Sequence, residues 1–296
     1  MKSCVLREEI RPGLSGAESI FGVRERVGQW RDAKETIALV PTMGNLHEGH
    51  LSLIRLASQH ARRVICSIFV NPTQFKDGED YTSYPRTLQE DKEKLSAQGL
   101  VDLLFCPSEQ DIYPLGAETS VEIKVPGLSS ELCGAIRPGH FSGVASVVCR
   151  LLNITMPDTL LLGEKDYQQL LILTRMIEDL RFPVTVVSAP IFRENDGLAM
   201  SSRNRYLEAG QRKLAPRLHV ELEQIQKALR KGASDYHLLE SEALRSLKKA
   251  GFRPEYVEVR RASDLAKPNG KAGQDELVVL AAAWLGKARL IDNVCA

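Results

Sequence analysis

The sequence predicts an α/β protein, a doubly wound parallel sheet with helices on both faces, followed by a smaller α+β domain. Three observations carry this. Short apolar runs rich in Val, Ile and Leu alternate with segments of helical periodicity between about residues 36 and 189, the pattern of strands buried on both faces. The distinctive polar clusters each follow one of those runs, as ligand-binding loops do at the carboxyl ends of parallel strands. Beyond Ala189 the alternation gives way to two charged helical segments and then short β-like runs. The expected domains are 1–189 and 190–296, the second closing over the site of the first.

The elements follow in order. TIALV (36–40) reads as a buried strand, and HLSLIRLASQHA (50–61) as a helix with an apolar stripe at Leu53, Ile54, Ala57 and Ala61. RRVICSIFV (62–70) is a second strand ending at NPTQF. RTLQEDKEKLSAQG (86–99) is an exposed helix closed by Gly99, and VDLLFCP (101–107) a strand stopped by Pro107. An apolar helix (141–155), a strand (158–163), a helix (167–180) and a strand (184–190) complete the alternation. The polar segment FRENDGLAMSSRNRYL (192–207) leads to helices around 211–231 and 236–250, then YVEVRR, ELVVLAAAWL and ARLIDNV.

A formal net charge of +1 argues against a general polyanion surface, so nucleic acid is not an expected partner, yet leaves room for a local basic pocket. The six cysteines show no CxxC pair and no metal-ligand spacing to histidine; Cys66 and Cys106 sit in apolar runs as small hydrophobes. The amino terminus lacks the apolar core of a signal peptide, and no run approaches a membrane span. A cytoplasmic protein with reduced thiols and no membrane partner is expected.

The chemistry starts at PTMGNLHEGH (41–50), a strand-to-helix turn. The first N–H groups of a helix lack intrahelical partners and its dipole end is positive, so an anion is favoured there. His47 and His50, at i and i+3, share one face of the first turn, flanked by Gly44 and Gly49, and Gly49 permits close approach to backbone. Ordinary surface histidines are the alternative. In GEKDYQQ, Lys165 can neutralise phosphate and Asp166 can accept from ribose hydroxyls or help hold a metal; Gln168 and Gln169 can bind a polar substrate, or the stretch is a solvated loop opening a helix. Asn71 and Gln74 suit a substrate with hydroxyls and a carboxylate, although Pro72 also makes a plain turn. Ser201, Ser202 and Arg203 match phosphate oxygens, while SSRN is equally a helix cap. Arg137 and His140 are weaker candidates, and Glu90 and Asp91 read as a solvated helix face.

Taken in this order, PTMGNLHEGHLSL, FVNPTQF, YPRT, RPGHFSGV, GEKDYQQL and DGLAMSSRNRYL resemble the pantothenate synthetases, the pantoate–β-alanine ligases, from about Pro41 to Leu207. The resemblance implies a Rossmann-like domain of the superfamily that holds nucleotidylyltransferases and class I aminoacyl-tRNA synthetases, a small C-terminal domain, and a homodimer. It implies that ATP, pantoate and β-alanine give pantothenate, AMP and pyrophosphate through pantoyl adenylate, with Mg²⁺. HEGH stands at the HIGH-type signature and MSSR at the mobile phosphate loop. His50 would then be the principal catalytic group, with His47 and Lys165. Met43, Gly44, Gly49, Gly163, Asp166, Phe192, Met200, Ser201, Ser202 and Arg203 would complete the ATP site. Pro41, Met43, Asn71, Gln74 and Gln169 would line the substrate site, and the metal ligands are not assigned. Cys133 stands where many members carry glutamate, and Glu90 where some carry aspartate, so roles resting on those carboxylates do not transfer. Two rival readings stand beside this one: a related nucleotidylyltransferase, whose AMP release would be indifferent to β-alanine, and a non-catalytic nucleotide-binding protein, which would bind ATP without forming AMP.

Overall fold

The computed structural model of the chain describes residues 15–17, 19–76, 78–268 and 276–296. Among them, β1 (Ser15–Ala17), β2 (Ile37–Thr42), β3 (Arg63–Ile68), β4 (Leu103–Phe105), β5 (Thr159–Gly163) and β6 (Thr185–Ala189) form one sheet, ordered β1-β4-β3-β2-β5-β6 and parallel throughout. Seven helices accompany it: α1 (Ile20–Asp32), α2 (Glu48–His60), α3 (Leu88–Gln98), α4 (Glu109–Ile112), α5 (Cys133–Ile136), α6 (His140–Thr155) and α7 (Tyr167–Asp179). The expected α/β sheet is present, covered on both faces.

Period-two alternation within the strands sorts the core. Ile37, Leu39, Ile65, Leu103, Phe105, Leu160 and Leu162 meet α1, α6 and α7 on one face. Ala38, Val40, Val64, Cys66, Leu104 and Leu161 meet α2 and α3 on the other. From β2 the chain steps outward to β3 and β4, then returns to place β5 on the opposite flank of β2, pairing Ala38 with Thr159 and Leu39 with Leu160. The strand order therefore reverses between β2 and β5, and a crevice opens beyond their carboxyl ends, where sheets of this kind bind ligands.

A second, antiparallel sheet joins β7 (Arg253–Arg261), β8 (Leu277–Leu285) and β9 (Ala288–Cys295), with α8 (Ala209–Leu214), α9 (Arg217–Arg230) and α10 (Tyr236–Lys249) beside it. Its core gathers Leu218, Leu222, Ile225 and Leu229 of α9 against Val279, Ala281 and Ala283 of β8. A smaller cluster, in which Leu132, Leu265, Val278 and Leu280 meet Tyr167 and Leu171, joins the two sheets' territories.

Three expectations need correction. TIALV opens the second strand, not the first, because β1 and α1 precede it; the stripe Val23, Val27, Trp30 and the Ser19 cap, which accepts from Gly22 N–H at 3.2 Å, were readable signals for α1. The expected helix around 211–231 is two helices, broken at Ala215–Pro216, since proline has no N–H to continue a ladder. Cys106 is only half-buried, whereas Cys66 is wholly inside and burial lifts its thiol above the ordinary range.

Candidate active site

The turn after β2 is held from below by a carboxylate. Gly44 (φ +78°) and Asn45 (φ +49°) take left-handed backbone, and Asp91 of α3 accepts the N–H groups of Asn45 at 2.8 Å and Leu46 at 2.7 Å. The Thr87 hydroxyl donates to the same carboxylate at 3.2 Å, and Lys94 Nζ donates to Leu46 O at 2.8 Å. A Cβ on Gly44 would lie a tight 3.1 Å from both Asp91 Oδ2 and Ile68 Cγ2, and its positive φ strains any other residue, so glycine is favoured by conformation and by space. Asp91 corrects the sequence reading: it is 0% exposed and belongs to the turn, whereas its neighbour Glu90 is exposed on the helix surface as expected.

The two histidines stack, ring centroids 4.0 Å apart at 30°. His47 is the N-cap of α2 in extended conformation, and its N–H donates to His50 Nδ1 at 3.3 Å. An Nδ1 that accepts leaves the neutral ring's proton on Nε2. Both rings are held neutral. Burial first, then Lys165 and Lys94, brings His47 down to about 4, and burial, His47 and the same lysines push His50 well below its ordinary value. Positive charge thus converges on an uncharged imidazole pair. His47 Nδ1 is buried without a hydrogen-bond partner among the described residues, and a Cβ on Gly49 would lie 3.0 Å from that ring.

These groups face a cavity of about 680 Å³ at the switch point. Pro41, Met43, His47, Gly49, His50, Asn71, Gln74, Gly163, Lys165, Asp166, Gln169, Phe192, Met200, Ser201, Ser202 and Arg203 all reach its wall. Gly44 does not, and its part is to shape the turn.

Closer geometry separates side chains that can meet a ligand from those already engaged. Asn71, 1% exposed, donates to Gln74 Oε1 and Gly143 O at 3.2 Å each, and accepts from Tyr113 at 2.7 Å and Thr73 at 3.1 Å. Its four hydrogen-bonding positions are filled, so it fixes the 3₁₀ turn Pro72–Gln74. Gln168 is likewise engaged, donating to Leu128 O and Glu131 O at 2.7 Å and accepting from Cys133 N–H at 3.2 Å. Gln74 and Gln169 are the amides left facing the cavity, Gln74 Nε2 lying 2.8 Å from Met43 Sδ. Arg137 and His140 act from behind: His140 Nδ1 donates to Gln74 O at 2.7 Å, and Arg137 binds Glu79 and donates to His140 Nε2 at 3.1 Å. Burial and the arginine bring His140 down to about 4.

Lys165 Nζ lies 3.8 Å from Asp166 Oδ2 and reaches the cavity with its side chain 20% exposed. Ser201 Oγ accepts from Arg203 N–H at 3.3 Å and so caps the 3₁₀ turn Ser202–Tyr206, while Ser202 donates to Asn45 O at 3.2 Å. The serine segment is both a cap and a neighbour of the histidine turn. Arg203 Nε and Nη2 donate to Asp80 at 3.1 and 3.0 Å, and its guanidinium lies 5.8 Å from the Tyr84 ring. Its charge is shared with Asp80, which the sequence reading had not anticipated. Met200 N–H donates to Phe192 O at 2.9 Å, closing the segment between them. Cys133 is buried, its Sγ 3.5 Å from Arg289 Nη2. Asp80, Tyr84, Arg289, Asp292 and Asn293 also reach the cavity and were missed, since no local pattern marks residues whose placement comes from distant elements.

Among the described residues, no three His, Cys, Asp or Glu side chains converge as a metal cage. Asp166 is the carboxylate beside Lys165, and a single acid there suits a Mg²⁺ that keeps most of its coordination on waters and phosphates.

An α/β protein whose switch point gathers a helix-start turn suited to an anion, neutral imidazoles and a lysine has the features of a nucleotide- or phosphate-binding class. The comparisons narrow this. The family described as pantoate-beta-alanine ligase matches residues 17–295. The pantothenate synthetase of Thioalkalivibrio sulfidiphilus is 55% identical over 90% of this chain and 92% of its own, and that of Laribacter hongkongensis 52% identical over 91% and 96%. The crystal structure of pantothenate synthetase from Thermus thermophilus superposes with a TM-score of 0.85 at 40% identity, covering 95% of this chain and 98% of the other. That of the Francisella tularensis pantoate-beta-alanine ligase, complexed with beta-gamma ATP and β-alanine, gives 0.77 at 35% identity over 95% and 97%. The chain belongs to the pantoate-beta-alanine ligase family.

Proposed function

We propose that the chain condenses pantoate with β-alanine, driven by ATP, through a pantoyl-adenylate intermediate, releasing AMP and pyrophosphate. The observation that carries the reading is the convergence of His50, Lys165, the serine segment, Gln74 and Gln169 on the wall of one cavity at the switch point. The pantoate carboxylate oxygen attacks the α-phosphorus; the bond to the bridging oxygen breaks and pyrophosphate leaves. The β-alanine amine then attacks the acyl carbon, and AMP departs with the carboxylate oxygen. Neither step needs a nucleophile from the protein, which instead supplies position and charge.

In this reading His50 acts through its Nε2–H as a neutral donor to phosphate oxygen, with Nδ1 tied to His47 N–H. His47 lies beside it on the phosphates. Lys165 opposes charge developing on the α-phosphate, Ser201 and Ser202 donate to the leaving pyrophosphate, and Arg203 joins them by exchanging Asp80 for phosphate. Gln74 and Gln169 orient pantoate against Pro41 and Met43, while Gly163, Asp166 and the backbone near Phe192 receive the nucleoside. Mg²⁺ bound with ATP would offset the charge of its phosphates, with Asp166, the carboxylate beside Lys165, placed to help hold it. The first 189 residues carry most of these groups, and residues 190–296 close the site. The family resemblance supports a cytoplasmic homodimer with small-molecule substrates as its partners; among the described residues no helix is long and apolar enough to cross a membrane.

The test is pantoate-dependent exchange of pyrophosphate into ATP without β-alanine. Exchange that requires pantoate but not the amine supports a discrete adenylate. Its absence, with turnover intact when all three substrates are present, would rule out a freely reversible adenylate.

A further inference from the structure

Two cavity-facing segments, distant in sequence, are tied to one dipeptide of β9. Asn293 Nδ2 donates to Glu164 O at 2.8 Å and Lys165 O at 3.0 Å, so both its protons are used on consecutive carbonyls of one turn. Asp292 accepts from Arg193 Nη1 at 2.8 Å and Nη2 at 3.0 Å, a two-pronged pair. Arg193 bridges to Ala199 and begins the hairpin that ends in Met200 and the serines. Asp292 and Asn293 are each 4% exposed, and Asp292 Oδ1 also accepts Asn293 N–H at 2.8 Å.

Burial makes these contacts consequential. The Lys165 turn is a single 3₁₀ segment, Glu164–Asp166, with no ladder of its own to fix it. Its carbonyls need donors, and a nearly buried amide that fills two of them holds a half-buried turn in one direction where exchanging water would not. An amide that spans two consecutive carbonyls sets the direction of the lysine between them.

We infer that Asn293 is a positioning residue for the adenylation step: it fixes the Lys165 turn at the end of β5, while Asp292 fixes the serine hairpin through Arg193. The small sheet thereby sets the spacing of two phosphate-facing segments. This rests on the role given to Lys165 above.

The experiment measures pyrophosphate–ATP exchange for Asn293→Ala, Lys165→Ala and the double variant of the full chain. Asn293→Ala is expected to lower the exchange rate constant about tenfold to a hundredfold with the ATP KM changed less than about threefold, the pattern of a misplaced group. Added to Lys165→Ala, it should cost less than about a further threefold, because residues acting through one another are not additive. Asn293→Asp, the same shape with acceptors in place of donors, should lose more than alanine. Hydrogen exchange should quicken at 163–167 in either variant, a readout that serves even where activity is lost altogether. The same loss on both lysine backgrounds, or unchanged exchange at 163–167, would overturn the proposal alone. A Lys165→Ala enzyme with the parent rate would overturn it together with the reading it rests on.

Discussion

His50 is held by its own helix start: the backbone of His47 occupies Nδ1, burial and two lysines keep the ring neutral, and one N–H remains to donate. Replacing it with alanine should slow pantoyl-adenylate formation by about two to three orders of magnitude, the range seen for a lost transition-state donor. ATP affinity should change far less, and single-turnover kinetics with equilibrium nucleotide binding separate the two. Asp91 acts one layer below. Asp91→Ala strands the N–H groups of Asn45 and Leu46 at about 1–3 kcal/mol each, so urea unfolding should report a loss of at least about 2 kcal/mol, with adenylation falling alongside. The histidines were legible because a strand, a glycine-flanked HxxH and a helix adjoin in sequence. Asp91 was not, because a charged helix such as QEDKEK shows the same composition whether one of its acids faces water or a buried loop. The internal hydrogen bonds of Asn71 and Gln168 were not legible for a related reason: amide chemistry says what a side chain can bind, and only tertiary neighbours say how much of its capacity is already filled.

At the scale of elements, the substrate side depends on α6 lying close to the turn Pro72–Gln74. Gly143 permits it: a Cβ there would lie 2.3 Å from Thr73 O and 2.8 Å from Gln74 N, both backbone atoms that cannot swing aside. Gly143→Ala should therefore displace Gln74 and raise the pantoate KM by about tenfold or more, with a much smaller change in the ATP KM, as steady-state kinetics would show. The alternation of apolar runs made most strands and helices of the large sheet readable, since strands buried on both faces leave continuous Val, Ile and Leu. The strand order was not readable, because pairing of β2 with both β3 and β5 is a long-range choice. In the small sheet ARLIDNV reads as an ordinary strand. Nothing local distinguishes its Asn293 from an exposed asparagine.

The whole molecule carries several imidazoles folded in the neutral state, and this makes its stability depend on pH. His47 and His140 bind a proton near pH 4 in the fold, against about 6.5 for an unperturbed ring, and His50 is also depressed. Between those values the unfolded chain holds more protons than the fold, so stability is fully present above about pH 6.5 and declines as pH falls toward 4. Each histidine can contribute up to about 1.4 kcal/mol per pH unit across that window. Thermal unfolding should show Tm falling steeply through it, and His47→Gln or His140→Gln should flatten the slope; a flat Tm between pH 6.5 and 4 would contradict the assigned neutral state. At this scale a C-terminal domain closing over the first was an expectation of the sequence, whereas the contacts that bring Asp292 and Asn293 of β9 to the cavity emerged only from the fold. The central claim, three small substrates condensed in one cavity, is tested most directly by measuring AMP formed from ATP and Mg²⁺ with pantoate and β-alanine supplied singly and together. The account predicts sustained AMP only when both are present, matched one for one by pantothenate. Sustained AMP without β-alanine, or none with all three substrates, would contradict it.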